Sequence, residues 1–282
     1  MKKILLPTDF SENAYNAISY AIKAFKDVEC TFYLLNTYTP VLYDSEYILY
    51  NSTQPNLAEA YKKNSLTGLR KVERKINRDF NNPKHHFEKI SAFNLLIDEM
   101  KEQVKSKEID LVVMGTQGAT GAEEILIGTN SVHAINKLRT PFLMIPSGYQ
   151  YQPPVNILFP TDFELNFSTA QLEPILNLAE EHTSKLNILH VYFGKDLDQN
   201  QEKNKKNLSK ILEDTSHQFY TIEDKSVPKA IKKYQEQHEV DLLFMVNNKR
   251  SFFENLLFRP VVNKIGFHIK VPFMVIQSGK FN

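Results

Sequence analysis

KILLPTDF at residues 3–10 returns as NILFPTDF at residues 156–163. Two further echoes follow in the same order: DLVVMG from Asp110 with DLLFMV from Asp241, and TPFLMI from Thr140 with VPFMVI from Val271. The offset is 153 residues for the first pair and 131 for the other two. Ordered self-similarity of this kind marks a duplicated domain. The break is expected in SGYQYQPP, residues 147–154, where the apolar run stops and two prolines block regular structure. Domains are therefore expected at residues 1–148 and 153–282, each of ordinary single-domain length.

Within the first repeat, short apolar runs alternate with amphipathic stretches, the pattern of βαβ units on a parallel sheet. Strands are expected at KILLPT, CTFYLLNT, HHFEKISA, DLVVMG and PFLMI. Ser11 suits the cap of a helix whose apolar face carries Ala14, Ala17, Ile18, Ala21, Ile22 and Phe25. A second helix is expected over 56–80, with Leu66, Leu69, Val72 and Ile76 inward, and another from Asn94, with Leu95, Leu96, Ile97, Met100 and Val104 inward. The expected fold class is α/β: two tandem doubly wound domains, each with a five-stranded parallel sheet flanked by helices. VNILFP, KLNILHV and HQFYTI supply matching strands in the second repeat.

Composition narrows the function classes. Apolar residues make up 42% and charged residues 24%, as in a globular protein with a proper core. A net charge of +1 gives no electrostatic footprint for nucleic acid or an anionic membrane. The N-terminal MKKILLPTDFS has too short an apolar run before Pro7 for a secretory signal, and no stretch reaches the roughly 18 apolar residues of a membrane helix. With Cys30 the single cysteine, a reducing, cytoplasmic location is expected, and Cys30 itself reads as a small buried hydrophobe.

Ligands on doubly wound sheets bind beyond the carboxyl ends of the strands. Two distinctive segments fall there: Pro7-Thr8-Asp9 after the first strand, and MGTQGATGAEEILIGTNS, residues 114–131, after the fourth. The latter holds Gly115, Gly118, Gly121 and Gly128, four of the chain's nine glycines. Glycine serves where the backbone needs positive φ or a close approach. The segment leads into SVHAINKL, a plausible helix whose first amides, with the hydroxyls of Thr129 and Ser131, suit phosphate oxygens. The alternative is a flexible β-to-α connection. Neither G-x4-G-K-[ST] nor G-x-G-x-x-G occurs.

PTDFS after a first strand, G-x2-G-x9-G-[ST] after DLVVMG, and a closing PFLMIP together resemble the universal stress protein family, over the whole chain as two tandem domains. That resemblance implies a fold like that of the adenine nucleotide α-hydrolases and a stress-response regulator binding ATP with Mg2+. AMP or another adenosine ligand is an open alternative. The implied site is Thr8, Asp9, Thr37, Met114, Gly115, Gly118, Gly128, Thr129, Asn130 and Ser131. Gly115, Gly118, Gly128, Thr129 and Ser131 would hold ribose and phosphates, while Asp9 and the backbone near Thr37 would meet the adenosine end. It also implies dimer contact through the last strands, which a tandem chain satisfies internally, leaving a further homodimer and an unidentified protein partner open.

Residue chemistry alone allows Asp9 two roles: a turn or cap residue, or an acceptor for adenine or ribose donors. Asp162 stands at the same place in the second repeat. There Val246, Lys249, Phe252, Arg259 and Pro260 replace Gly115, Gly118, Gly121, Gly128 and Thr129, so the second copy keeps the strands and loses the glycine cradle. Lys249, Arg250 and Arg259 form either an anion site held by charge or a solvated basic face. Residues 38–57 carry Tyr38, Tyr43, Tyr47 and Tyr50, as a lid or as a satellite cluster.

Catalytic candidates are thin. His85 and His86 begin a strand and point to opposite faces, so they do not share a metal. His190, His217, His238 and His268 lack metal-ligand spacing, and no hydrolase triad motif occurs. No metal site is expected, and any ATP hydrolysis should be slow. Two rivals to the nucleotide-dependent regulator are a protein-interaction module that binds no nucleotide and an adenylate-transferring enzyme. The second is disfavoured because the glycine loop of such enzymes follows the first strand, where this chain has PTDFS.

Overall fold

The structure, a computed structural model, describes residues 1–39, 56–116, 128–247 and 270–279. The first repeat forms β1 (Lys2–Pro7), α1 (Glu12–Ala24), β2 (Cys30–Tyr38), α2 (Asn56–Phe80), β3 (His85–Phe93), α3 (Leu96–Lys107), β4 (Leu111–Gly115), α4 (Thr129–Lys137) and β5 (Phe142–Ile145). The second forms β6 (Asn156–Pro160), α5 (Thr169–His182), β7 (Lys185–Tyr192), α6 (Gln199–Ile211), β8 (His217–Glu223), α7 (Val227–Gln237), β9 (Leu242–Asn247) and β10 (Phe273–Gln277). Among the described residues, each repeat thus has the five strands expected of it. Residues 146–155 between them contain neither helix nor strand.

The chain divides into two compact units, one reaching Thr140 and one starting at Pro141. In the first, parallel strands run in the order β3-β2-β1-β4. Ile4, Leu5 and Leu6 are fully buried, as a central parallel strand with both faces covered requires. The second unit runs β5-β10-β9-β6-β7-β8, parallel throughout except at β5 and β10. These last strands of the two repeats pair antiparallel, with Phe273 opposite Met144 and Val275 opposite Phe142. The expected edge pairing is therefore present, and it places β5 with the second unit.

The duplication extends to individual hydrogen bonds. Asp110 Oδ2 accepts from Lys3 N–H at 2.8 Å while Asp110 N–H donates to Lys3 O at 2.9 Å. Asp241 and Asn156 repeat the exchange at 2.7 and 2.9 Å. The aspartate before each fourth strand thus locks that strand to the start of the first, which is why DL recurs in both copies.

Ser11 caps α1 as expected, its Oγ accepting from Ala14 N–H at 3.2 Å, and the face from Ala14 to Phe25 is buried. Leu69, Val72 and Ile76 of α2 are buried too. Of the other side chains expected inward on α2 and α3, Met100 is buried, Leu66, Leu96, Ile97 and Val104 are half-buried, and one is exposed. Leu95 is 62% exposed, because it occupies the extended N-cap position of α3 and falls outside the helical period. Glu99 is buried instead, its carboxylate accepting from Asn94 Nδ2 at 3.0 Å and Gln103 Nε2 at 2.7 Å. His85 is buried and His86 exposed, on opposite faces of β3.

Candidate functional site

The first strand of each repeat ends in one turn geometry. Thr8 N–H extends the ladder to Leu35 O at 2.8 Å, and Asn36 Nδ2 donates to Thr8 O at 2.7 Å. Thr8 Oγ1 then accepts from Phe10 N–H, and Asp9 Oδ1 from Ser11 N–H, both at 3.0 Å. Two side chains each catching the amide two residues on is the Asx- and Ser/Thr-turn device. It holds Phe10 at φ 67°. Thr161 and Asp162 do the same for Phe163 and Glu164 at 3.1 Å each, with Phe163 at φ 57°. In place of Asn36, His190 Nδ1 pairs with Thr161 O at 3.3 Å.

Beyond the turn, the repeats diverge. Phe10 is 39% exposed and its ring lies over Gly68 of α2, where a Cβ would come within 2.4 Å of Phe10 Cζ. Gly68 is therefore a close-approach glycine. Phe163 is 1% exposed, with its ring 5.3 Å from that of His190 and Lys205 Nζ 5.7 Å from its centroid. Helix α6 covers the segment around it. Gln201 Nε2 donates to Asp162 O at 2.9 Å, Asn204 Nδ2 to Phe163 O at 2.9 Å, and Asn207 Nδ2 to Phe167 O at 2.7 Å.

At the end of β4 the chain builds a helix terminus. Met114 and Gly115 finish the strand inside the core. Gly128 N–H donates to Thr116 O at 2.6 Å and Ser131 Oγ–H to Gly115 O at 3.2 Å, stapling the start of α4 to the strand end. Gly128 is the N-cap and supplies no side-chain cap, as is also true of Leu95 at α3 and Ser226 at α7, whereas Ser11, Ser168 and Asp198 cap α1, α5 and α6. Its φ of −57° is one that any residue adopts, so the backbone angle does not by itself call for glycine here. Thr129 and Asn130 are exposed on the first turn, and Ser131 is buried.

Because β1 lies between β2 and β4, Thr8, Asp9, Thr37, Met114, Gly115, Gly128, Thr129, Asn130 and Ser131 gather at the carboxyl ends of three adjacent strands. Thr37 is half-buried on β2, opposite Ala92 of β3. Gly118 and Gly121 lie outside the described residues, as do Tyr43, Tyr47, Tyr50, Lys249, Arg250, Phe252, Arg259, Pro260 and His268. In the second repeat, Val246 is buried in β9 and Asn247, the counterpart of Thr116, donates from Nδ2 to Gln277 Oε1 at 3.0 Å. Among the described residues, no three His, Cys, Asp or Glu side chains gather to hold a metal ion. His190, His217 and His238 each pair with a backbone carbonyl.

Three residues of the site escaped the sequence reading: Asn36, Gly68 and Thr116. Asn36 had a visible signal, as the first polar residue after the run FYLL in β2. Thr116 had a weaker one, a hydroxyl directly after the strand-ending Gly115. Gly68 had none, since a glycine inside a helical pattern says nothing of what lies against it.

The sequence profile of the universal stress protein family matches residues 1–146. The chain belongs to that family. Two universal stress proteins of Methanocaldococcus jannaschii are 28% identical over 144 residues, covering 51% of this chain and 81% of the relative, and 27% identical over 154 residues, covering 51% and 94%. A universal stress protein from Archaeoglobus fulgidus has a similar structure over 98% of both chains, with a TM-score of 0.63 at 17% identity. That likeness extends the universal stress protein fold to both repeats. No helix among the described residues is long and apolar enough to cross a membrane.

Proposed function

We propose that the first repeat binds an adenine nucleotide, ATP with Mg2+, and that occupancy biases partner binding in a cytoplasmic stress response. The observation that carries this reading is the start of α4: an N-terminus without a side-chain cap, tied by the 2.6 Å bond from Gly128 N–H to Thr116 O to the carboxyl end of β4. The first amides of a helix have no intrahelical acceptor and carry the positive end of its dipole, so an anion is the natural cap. The phosphates would lie over Gly128 on the amides of Thr129, Asn130 and Ser131, since Gly128 N–H is held by Thr116 O, with Gly115 and Gly118 allowing their approach. Asp9, Thr8 and the β2 backbone at Thr37 would face the adenosine, and Met114 would line the site. Ser131 Oγ–H is engaged by Gly115 O, so the helix amides supply most of the donors.

A carboxylate such as Asp9 repels phosphate without a cation between them, which suits Asp9 to the nucleoside end. Mg2+ would travel on the phosphates with its waters rather than in a protein cage. With neither a base nor a phosphate-activating cation assigned to this chain, turnover should be slow and the nucleotide a signal rather than a substrate. The second repeat serves as a scaffold, its post-β6 segment filled by Phe163 and covered by α6.

Calorimetric titration of the full chain with ATP tests this. The parent should bind, and Gly128→Arg, which places at the α4 N-cap the residue type of the second repeat, should lose at least about tenfold in affinity, equivalent to about 1.4 kcal/mol. Equal affinity of the two would sink the proposal. Exposed Phe93 and Leu95, at 60% and 62%, favour the interaction-module reading, which gains if the purified parent neither retains nor binds nucleotide.

A further inference from the structure

Thr116 is 3% exposed, yet its Oγ1 has no hydrogen-bond partner, the one hydroxyl in that condition among the described buried side chains. A buried polar atom without a partner is costly and calls for a cause. Neighbouring hydroxyls are engaged: Thr8 Oγ1 accepts from Phe10 N–H, and Ser131 Oγ–H donates to Gly115 O. The second repeat provides an internal comparison, because Asn247 at the matching position satisfies its amide on Gln277. The copy with the degenerate loop has closed its polar side chain into the protein, and the copy with the glycines has not. Thr116 is also the residue whose carbonyl receives Gly128 N–H at 2.6 Å, so it is anchored beside the uncapped start of α4, a nine-residue helix.

We propose that Thr116 Oγ1–H donates to a phosphate oxygen of the bound nucleotide, working with the first-turn amides of α4. The proposal rests on nucleotide binding by the first repeat and adds a binding residue to it. A hydroxyl is suited to the task because it donates without adding charge and rotates to follow the acceptor. Burial strengthens the bond, since the ionised acceptor meets it away from competing water. In the ligand-free chain the hydroxyl is a cost, and ligation removes that cost.

The test uses the full chain and two variants, Thr116→Val and Thr116→Ser, titrated with ATP and with adenosine, each in Mg2+ and in EDTA. Thr116→Val should bind ATP about tenfold to a hundredfold more weakly, the range for a hydrogen bond to a charged group. Thr116→Ser should stay within about threefold of the parent, and adenosine should bind all three alike. Without ligand, Thr116→Val should melt no lower than the parent, because valine removes an unsatisfied group. Unchanged ATP affinity in Thr116→Val overturns the proposal while leaving nucleotide binding intact. An equal loss toward adenosine, or a lowered ligand-free melting temperature, overturns it in favour of a structural role. A loss seen only with Mg2+ present overturns it in favour of a cation ligand. If the parent itself binds no ATP, nucleotide binding and the phosphate donor fall together.

Discussion

Asp9 and Asp162 accept from the amide two residues on at 3.0 and 3.1 Å, and each sits before a phenylalanine held at positive φ. A bulky residue in the left-handed region is strained unless its surroundings fix it. Thr and Asp side chains supply that fixing in both repeats, so PTDF is retained in the copy that has lost the glycines because it builds the turn. Asp9→Ala and Asp162→Ala should therefore each lower stability by about 1 kcal/mol, while Asp→Asn at either position, which keeps the accepting oxygen, should be nearly neutral. Urea unfolding of the four variants checks this. A loss at Asp162 without one at Asp9 would show that the first-repeat aspartate is kept for another purpose. Any nucleotide effect of Asp9→Asn then measures its charge apart from its turn.

At the scale of elements, periodicity carried most of the fold. The strands, the cap at Ser11 and the limits of α2 at 56–80 all follow from apolar spacing and turn chemistry, which are local signals. Leu95 was misplaced because one residue at a helix start decides whether a side chain joins the inward stripe or the exposed cap. That the ends of β1 and β4 lie side by side was legible through strand order, while the state of Thr116 was not, since an unsatisfied hydroxyl is defined by what its neighbours fail to do. The α6 contacts were hidden for another reason. Gln201, Asn204 and Asn207 recur at i, i+3 and i+6 in a charged stretch that reads as a solvated face, and their acceptors lie some forty residues upstream. Replacing Asn204 and Asn207 together by Ala should cost about 2 kcal/mol, because two carbonyls lose their donors. Hydrogen exchange should quicken over 162–168 and leave the 8–11 turn unchanged. Unaltered exchange over 162–168 would mean that Phe163 burial alone holds the segment.

For the molecule as a whole, the duplication ends in a strand exchange of partners. β5 belongs by sequence to the first repeat, yet it pairs antiparallel with β10 and counts with the second compact unit. A fragment ending at residue 148 would carry FLMI without its β10 partner, presenting an apolar edge with unpaired amides and carbonyls. β5 and β10 are counterpart strands of the two repeats, so an antiparallel β5–β5 contact between two such fragments is the nearest substitute, and closed two-fold pairing is self-complementary. Residues 1–148 should therefore sediment as a dimer at micromolar concentration. Circular dichroism first establishes that the fragment is folded. A monomeric 1–148 would show that the edge of β5 does not drive association by itself, and the homodimer implied by the family resemblance would then have to use another surface.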